Sequence, residues 1–127
     1  MMQRQIFEID TDTGTQGDTG PSFFGEIAQM RWNPTTGDTG GDLLVALLPK
    51  QGDTGDGWEF YNDNDVLGTN FVRAPRQPQH GSDGAADPAD TGAAFGVPIV
   101  GAGDRLRVKV IPGGAAVVGR LYIWIKN

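Results

Sequence analysis

Residues 104–111 read DRLRVKVI. In an extended chain Leu106, Val108 and Val110 point one way and Arg105, Arg107 and Lys109 the other, the period-two alternation of a strand with one dry and one wet face. Residues 117–125, VVGRLYIWI, repeat the pattern, with Leu121, Ile123 and Ile125 against Arg120, Tyr122 and Trp124. The intervening PGGAA is turn chemistry. The two runs predict a β-hairpin whose apolar face is core and whose other face is a mixed basic and aromatic surface suited to a subunit contact.

The rest of the chain is read against that pair. Residues 3–9 predict a first strand carrying Ile6, Phe7 and Ile9, and residues 10–21, DTDTGTQGDTGP, consist of turn formers. Residues 22–33 predict a longer strand with Phe24, Ala28, Met30 and Trp32 on one face and Phe23, Ile27 and Arg31 on the other. Glu26 interrupts the first of those faces, so a bend, or the strand reaching an edge, is expected near Gly25. The run 42–48, DLLVALL, is apolar on both faces. Seven residues between Gly41 and Pro49 are too few for a typical helix, so a strand buried on both sides is expected, inside a sandwich or under a partner subunit. Short strands follow at 58–61 and 69–74, and another at 95–100, where Pro98 marks an edge position. The stretch 75–94 has no periodicity, and such long irregular stretches are commonly functional or disordered. Eight strands and no helix predict one all-β domain over residues 1–127, an antiparallel β-sandwich or small barrel, with an eight-stranded jelly-roll sandwich the natural expectation and a long irregular loop at 75–94.

Composition narrows the chemistry. A chain of 127 residues is long enough to bury a core without staples. It has no cysteine, so thiolate metal sites, disulfides and thiol catalysis are excluded. Its 20 glycines and eight prolines match a fold of strands and tight turns. A formal charge of −6 disfavours sequence-independent binding to phosphate backbones. No apolar run approaches the ~20 residues of a membrane span, and residues 1–10 lack the apolar core of a secretory signal. Neither a nucleic-acid nor a membrane partner is therefore expected.

Asp-Thr-Gly occurs at Asp12, Asp18, Asp38, Asp53 and Asp90. The tripeptide is that of aspartic proteases, where two such carboxylates share a proton, and a protease is one functional reading. In the retroviral type the motif follows a buried apolar strand. Here Asp18, Asp38 and Asp53 each follow glycine, which reads as turn chemistry. Asp10-Thr11-Asp12 and Asp63-Asn64-Asp65 offer oxygen ligands of the kind Ca²⁺ takes, yet neither continues into a full binding loop, and solvated acidic turns are the plainer reading. His80 is the lone histidine and supports neither a triad nor a zinc site. Trp32, Trp58 and Trp124 could form a sugar-stacking platform, the basis of a carbohydrate- or receptor-binding reading; core and interface packing is the commoner fate of tryptophan. Arg105, Arg107 and Lys109 form either a solvated strand face or a charge contact with acidic turns of another subunit. No catalytic residue, cofactor or metal is assigned, and a non-enzymatic role is expected.

The segments GEIAQMRWNPTTGDTGGDLLVALLP, FVRAPRQPQHGSDG and GAGDRLRVKVIPGGAAVVGRLYIWI resemble small proteins of the structural gene clusters of tailed bacteriophages, and the chain is similar to their jelly-roll head decoration, or cement, proteins. The resemblance rests on a pattern of strands and turns. It implies a β-sandwich that trimerises on the capsid exterior, after synthesis in the bacterial cytoplasm, and clamps neighbouring major capsid subunits without a cofactor. The long loop would then be an arm that orders on its neighbour, with Arg73, Arg76 and His80 able to meet an acidic partner and with Arg105, Arg107, Lys109, Tyr122 and Trp124 at the interface.

Overall fold

The computed structural model describes residues 2–11, 14–49, 57–77 and 97–127. Among them are nine strands and no helix: β1 (Met2–Asp10), β2 (Gln16–Thr36), β3 (Asp42–Leu48), β4 (Trp58–Asp63), β5 (Phe71–Arg73), β6 (Arg76–Gln77), β7 (Val97–Pro98), β8 (Val100–Ile111) and β9 (Val118–Lys126). Seven form one antiparallel sheet in the order β1-β9-β2-β8-β3-β4, with β5 added to β2, and β6 pairs β7 separately. The expected long loop thus contributes Arg76–Gln77 to a strand, and residues 78–96 lie outside the described part.

The sheet turns on β2. Its first half pairs with β8, from Gln16 opposite Val110 to Glu26 opposite Val100, and its second half pairs with β9, from Glu26 opposite Lys126 to Thr36 opposite Val118. Gly25 stands at the changeover with φ 135°, a conformation that L side chains rarely adopt, and an added Cβ would come within 2.6 Å of the Lys126 carbonyl oxygen. The bend expected near Gly25 is present. The faces assigned to this strand are not. Phe23, Ile27, Met30 and Trp32 are the buried set, while Phe24 is 66% exposed. A register shift between Ile27 and Gln29 places a bulge at Ala28. One inserted residue reverses the parity of everything after it, so the inward series changes from odd to even numbers.

Two further expectations change. Residues 16–21 are strand rather than turn: Gln16, Gly17, Asp18 and Thr19 pair with Val110, Lys109, Val108 and Arg107, because a regular partner edge overrides weak local propensity. Nor do the last two strands make a hairpin. β8 borders β2 and β3, β9 borders β1 and β2, and β2 lies between them. Alternation tells which side of a strand is dry and is silent about which strand lies beside it. Both dry faces are as expected: Leu106, Val108, Val110, Leu121, Ile123 and Ile125 are fully buried. They join Phe7 and Ile9 of β1, Leu43, Val45 and Leu47 of β3 and the inward residues of β2 in one cluster.

The β8–β9 connection is tied down by side chains. The Asp38 carboxylate accepts from the N–H groups of Gly113 (2.7 Å), Ala115 (3.1 Å) and Gly40 (3.0 Å). Gly113 lies so close to the Gly40 backbone that no Cβ fits between them. Thr11 Oγ1 accepts from Val117 N–H at 2.8 Å, and the Thr11 N–H donates to the Val117 carbonyl at 3.0 Å.

Candidate functional site

The outward residues of β1, β9 and β2 make the most organised polar surface among the described residues. Register sets it out. Ile6 lies opposite Tyr122, which lies opposite Arg31; Arg4 lies opposite Trp124, which lies opposite Gln29. The Tyr122 and Trp124 rings stack with centroids 5.8 Å apart and an interplanar angle of 28°. Each arginine then reaches diagonally. The Arg4 guanidinium carbon lies 5.4 Å from the Tyr122 ring centroid, and that of Arg31 lies 5.4 Å from the Trp124 centroid. Both distances are within cation–π range. The result is a crossed pair of arginines around an aromatic stack, spanning three strands.

Apolar and ionic neighbours complete the face. Ile6 is 45% exposed, and Met2 and Val72 are exposed on the same side. Arg120 pairs with Glu8 at 3.1 Å, both well exposed, so the pair is screened and contributes little to stability. The Tyr122 hydroxyl first, and Glu8 second, push the Arg120 pKa further up. At the end of the face a polar hollow of about 530 Å³ is lined by Glu8, Asp10, Asn33, Thr35, Arg120 and Tyr122, among others.

Of the residues singled out from sequence, Tyr122 and Trp124 are in this surface. Arg105, Arg107 and Lys109 are not. Their strand β8 lies on the far side of β2 from β9, so the basic residues of the one run and the aromatic residues of the other are not on adjacent strands. Arg107 and Lys109 stand opposite Ala46 and Leu44, and Arg105 Nε donates to the Pro49 carbonyl at 3.0 Å. Arg76 is likewise committed to backbone, donating to Pro75 O at 3.0 Å and Ile27 O at 3.4 Å. Arg73 lies 5.0 Å from the Phe71 ring centroid and donates to Val72 O. His80 lies outside the described residues. Sequence reading missed Arg4 and Arg31. Arg4 was within reach, since Arg4, Ile6 and Glu8 alternate with Gln5, Phe7 and Ile9; Arg31 was concealed by the bulge at Ala28.

The other candidate chemistries find these placements. Trp32 is fully buried, its indole N–H donating to Leu67 O at 3.2 Å. Trp58 is 47% exposed on β4, beside Phe60, and β4 is not a neighbour of β9. The three indoles therefore do not share one surface. Asp18 lies on β2 and accepts from Gln16 Nε2 at 2.7 Å; Asp38 serves as the hub already described, and its backbone hydrogen bonds, led by Gly40 and Ala115, hold its pKa below the usual value. Asp12, Asp53 and Asp90 lie outside the described residues. Asp63 accepts from the Tyr61 hydroxyl at 3.1 Å, and the Tyr61 pKa is pushed up to about 12, mainly by burial and then by the Asp63 charge. No group of three His, Cys, Asp or Glu side chains placed to hold a metal ion occurs among the described residues. No helix there is long and apolar enough to cross a membrane.

In comparisons with known proteins, no family model, no curated protein and no solved structure matches the chain.

Proposed function

We propose that the chain is a structural virion protein, a decoration or cement subunit that binds the exterior of a tailed-bacteriophage capsid and holds neighbouring major capsid subunits together. The reading assigns it no catalytic role and no cofactor. It is made in the host cytoplasm, acts on the capsid exterior as a homotrimer and contacts neither nucleic acid nor membrane. In this reading the sheet closes as a jelly-roll β-sandwich, with β2 running through both layers. What supports that closure is the single core lined by strands on both sides of β2.

The observation that carries the function is the crossed arginine–aromatic array on an otherwise unpartnered sheet face, flanked by exposed Met2, Ile6 and Val72. Aromatic residues and arginine are enriched where proteins dock, and lysine and glutamate are depleted there. Repetition over a capsid lattice would sum modest single contacts into firm attachment.

Co-sedimentation of the purified protein with expanded phage capsids tests this directly. Saturable binding, lost on Trp124→Ala with the fold retained by circular dichroism, is the expected result. Failure of the unsubstituted protein to sediment with capsids would sink the reading. Size-exclusion chromatography with light scattering should report a trimer at micromolar concentration, and a monomer there would count against it. A carbohydrate- or receptor-binding module is the second reading. It is favoured by the polar hollow at Tyr122, where carboxylates and an amide adjoin an aromatic edge. Glycan-array binding abolished by Tyr122→Ala would decide for it.

A further inference from the structure

We infer that the β1–β9–β2 face recognises carboxylates of an acidic segment on a partner protein, with Arg4 and Arg31 as a preset pair of receptors. The inference deepens the docking role proposed above and rests on it.

The first argument is charge. The protein carries 16 acidic against ten basic residues. This face reverses the balance by a small margin, with Arg4, Arg31, Arg120 and Lys126 against Glu8, Asp10 and Glu26. With Glu8 engaged by Arg120, the cations left over on this face oppose the sign of the whole protein, and such a contrast is where charge complementarity selects a partner and speeds encounter.

The second argument is what the arginines do. Arg120 is occupied by Glu8, Arg105 and Arg76 by backbone carbonyls. Arg4 and Arg31 touch rings and make no hydrogen bond or ion pair among the described residues. A guanidinium resting on a ring keeps its N–H groups available, and those N–H groups match a carboxylate in two-pronged fashion. Holding the group against a ring before binding also reduces the side-chain entropy that ordering would otherwise cost.

The third argument is placement. Arg4 and Arg31 sit on strands one removed from each other, either side of β9, about 10 Å apart across the sheet at the usual strand spacing. Two charges so placed are read together by a segment lying across the strands, not by a single small anion. Exposed Ile6 and Val72 flank the pair. A partner with apolar residues between its acidic ones would cover them, exclude water and strengthen both charge contacts.

Fluorescence anisotropy with a labelled peptide of alternating glutamate and leucine is the test. Binding is expected that weakens as salt rises and falls roughly tenfold or more in Arg4→Gln/Arg31→Gln. Arg4→Lys/Arg31→Lys should lose part of it, because lysine keeps the charge but neither the fork nor the stack. Arg107→Gln/Lys109→Gln, on β8 outside the three strands of this surface, should bind unchanged. Thermal unfolding is followed for every variant, and the lysine pair serves if the glutamine pair does not fold. The inference is overturned if the peptide does not bind, or if the glutamine pair binds it as tightly. It is equally overturned if an alternating glutamine–leucine peptide competes as well, which makes the contact apolar, or if inorganic polyphosphate binds more tightly, which makes the ligand a phosphate. Capsid sedimentation of the glutamine pair separates the two levels: capsid binding retained removes this face and leaves the decoration reading, whereas no capsid binding by the unsubstituted protein removes the decoration reading whatever the peptide does.

Discussion

Asp38 shows how one carboxylate can hold a chain connection. It draws three backbone N–H groups, from Gly40, Gly113 and Ala115, to a single side chain. Those bonds favour the ionised form and lower its pKa from the ordinary 3.8. The sign follows from linkage. A carboxylate depressed by folding stabilises the folded state in full above its unfolded pKa, and that contribution is lost as pH falls through the lower folded value. Asp38→Asn should therefore lower the thermal midpoint at neutral pH and flatten its decline in acid, read by calorimetry across a pH series. An unchanged acid limb would remove Asp38 from that role. Tyr61 runs the other way. Its proton is held up to about 12 by burial and by Asp63, so its contribution is intact below the unfolded value of 10 and disappears as pH rises through about 12. Tyr61→Phe should unfold at a higher pH than the parent chain in an alkaline titration followed by circular dichroism.

At the scale of elements, β2 is where the fold is made and where sequence reading fails. Gly25 is the test case. With φ 135° and the Lys126 carbonyl 2.6 Å from any added Cβ, Gly25→Ala should cost about 2 kcal/mol or more in denaturant unfolding. A neutral result would mean the strand does not need its bend there. Ile123→Ala, deep in the shared core, should cost about 2–5 kcal/mol. Ile123 was legible because strict alternation around it never breaks. The bend was legible too, through Glu26. Phe24 and Ala28 were not, because a bulge carries no composition signal and reverses parity silently. Phe24, which sequence placed on one face with Met30 and Trp32, stands in solvent while they are buried, and Arg31, which sequence placed with Phe23 and Ile27, faces outward beside Trp124. The arginine–aromatic face was half visible for the same reason: Tyr122 and Trp124 come from one strand's alternation, whereas their arginine partners come from neighbouring strands that only register reveals. The same limit explains the hairpin. Residues 112–116 look like a tight turn, yet the strands they join are separated by β2.

At the scale of the molecule, charge and the edge of the sheet have separate addresses. Six of the acidic residues, Asp12, Asp53, Asp56, Asp83, Asp87 and Asp90, and one basic residue, Lys50, lie outside the described part, which leaves ten acidic against nine basic within it. The framework of strands is thus nearly neutral, and a basic face on it needs no local compensation. Beside β1 runs a seam with the first half of β2, where glutamine amides join the two strands. Gln16 presents its Oε1 to the Asp10 N–H at 2.6 Å and donates from Nε2 to the Glu8 carbonyl at 3.0 Å. Gln5 donates back to the Pro21 carbonyl at 3.2 Å, while its Oε1, packed against Gly20, accepts nothing among the described residues. Gln16 takes from β1 the donor and acceptor that a neighbouring strand would otherwise take, and so blunts an edge that would invite strand addition. The remaining outward groups, at Arg4 and Ile6, have no such cover among the described residues. Hydrogen exchange measures the difference. The Asp10 amide should exchange slowly and the Ile6 amide quickly, and Gln16→Ala should bring Asp10 to the faster rate while Leu121 and Ile123 keep their protection. Equal rates at Asp10 in both proteins would show that the seam is held by something other than the glutamine. Faster exchange throughout β9 would show instead that the seam supports the whole sheet and not its edge alone.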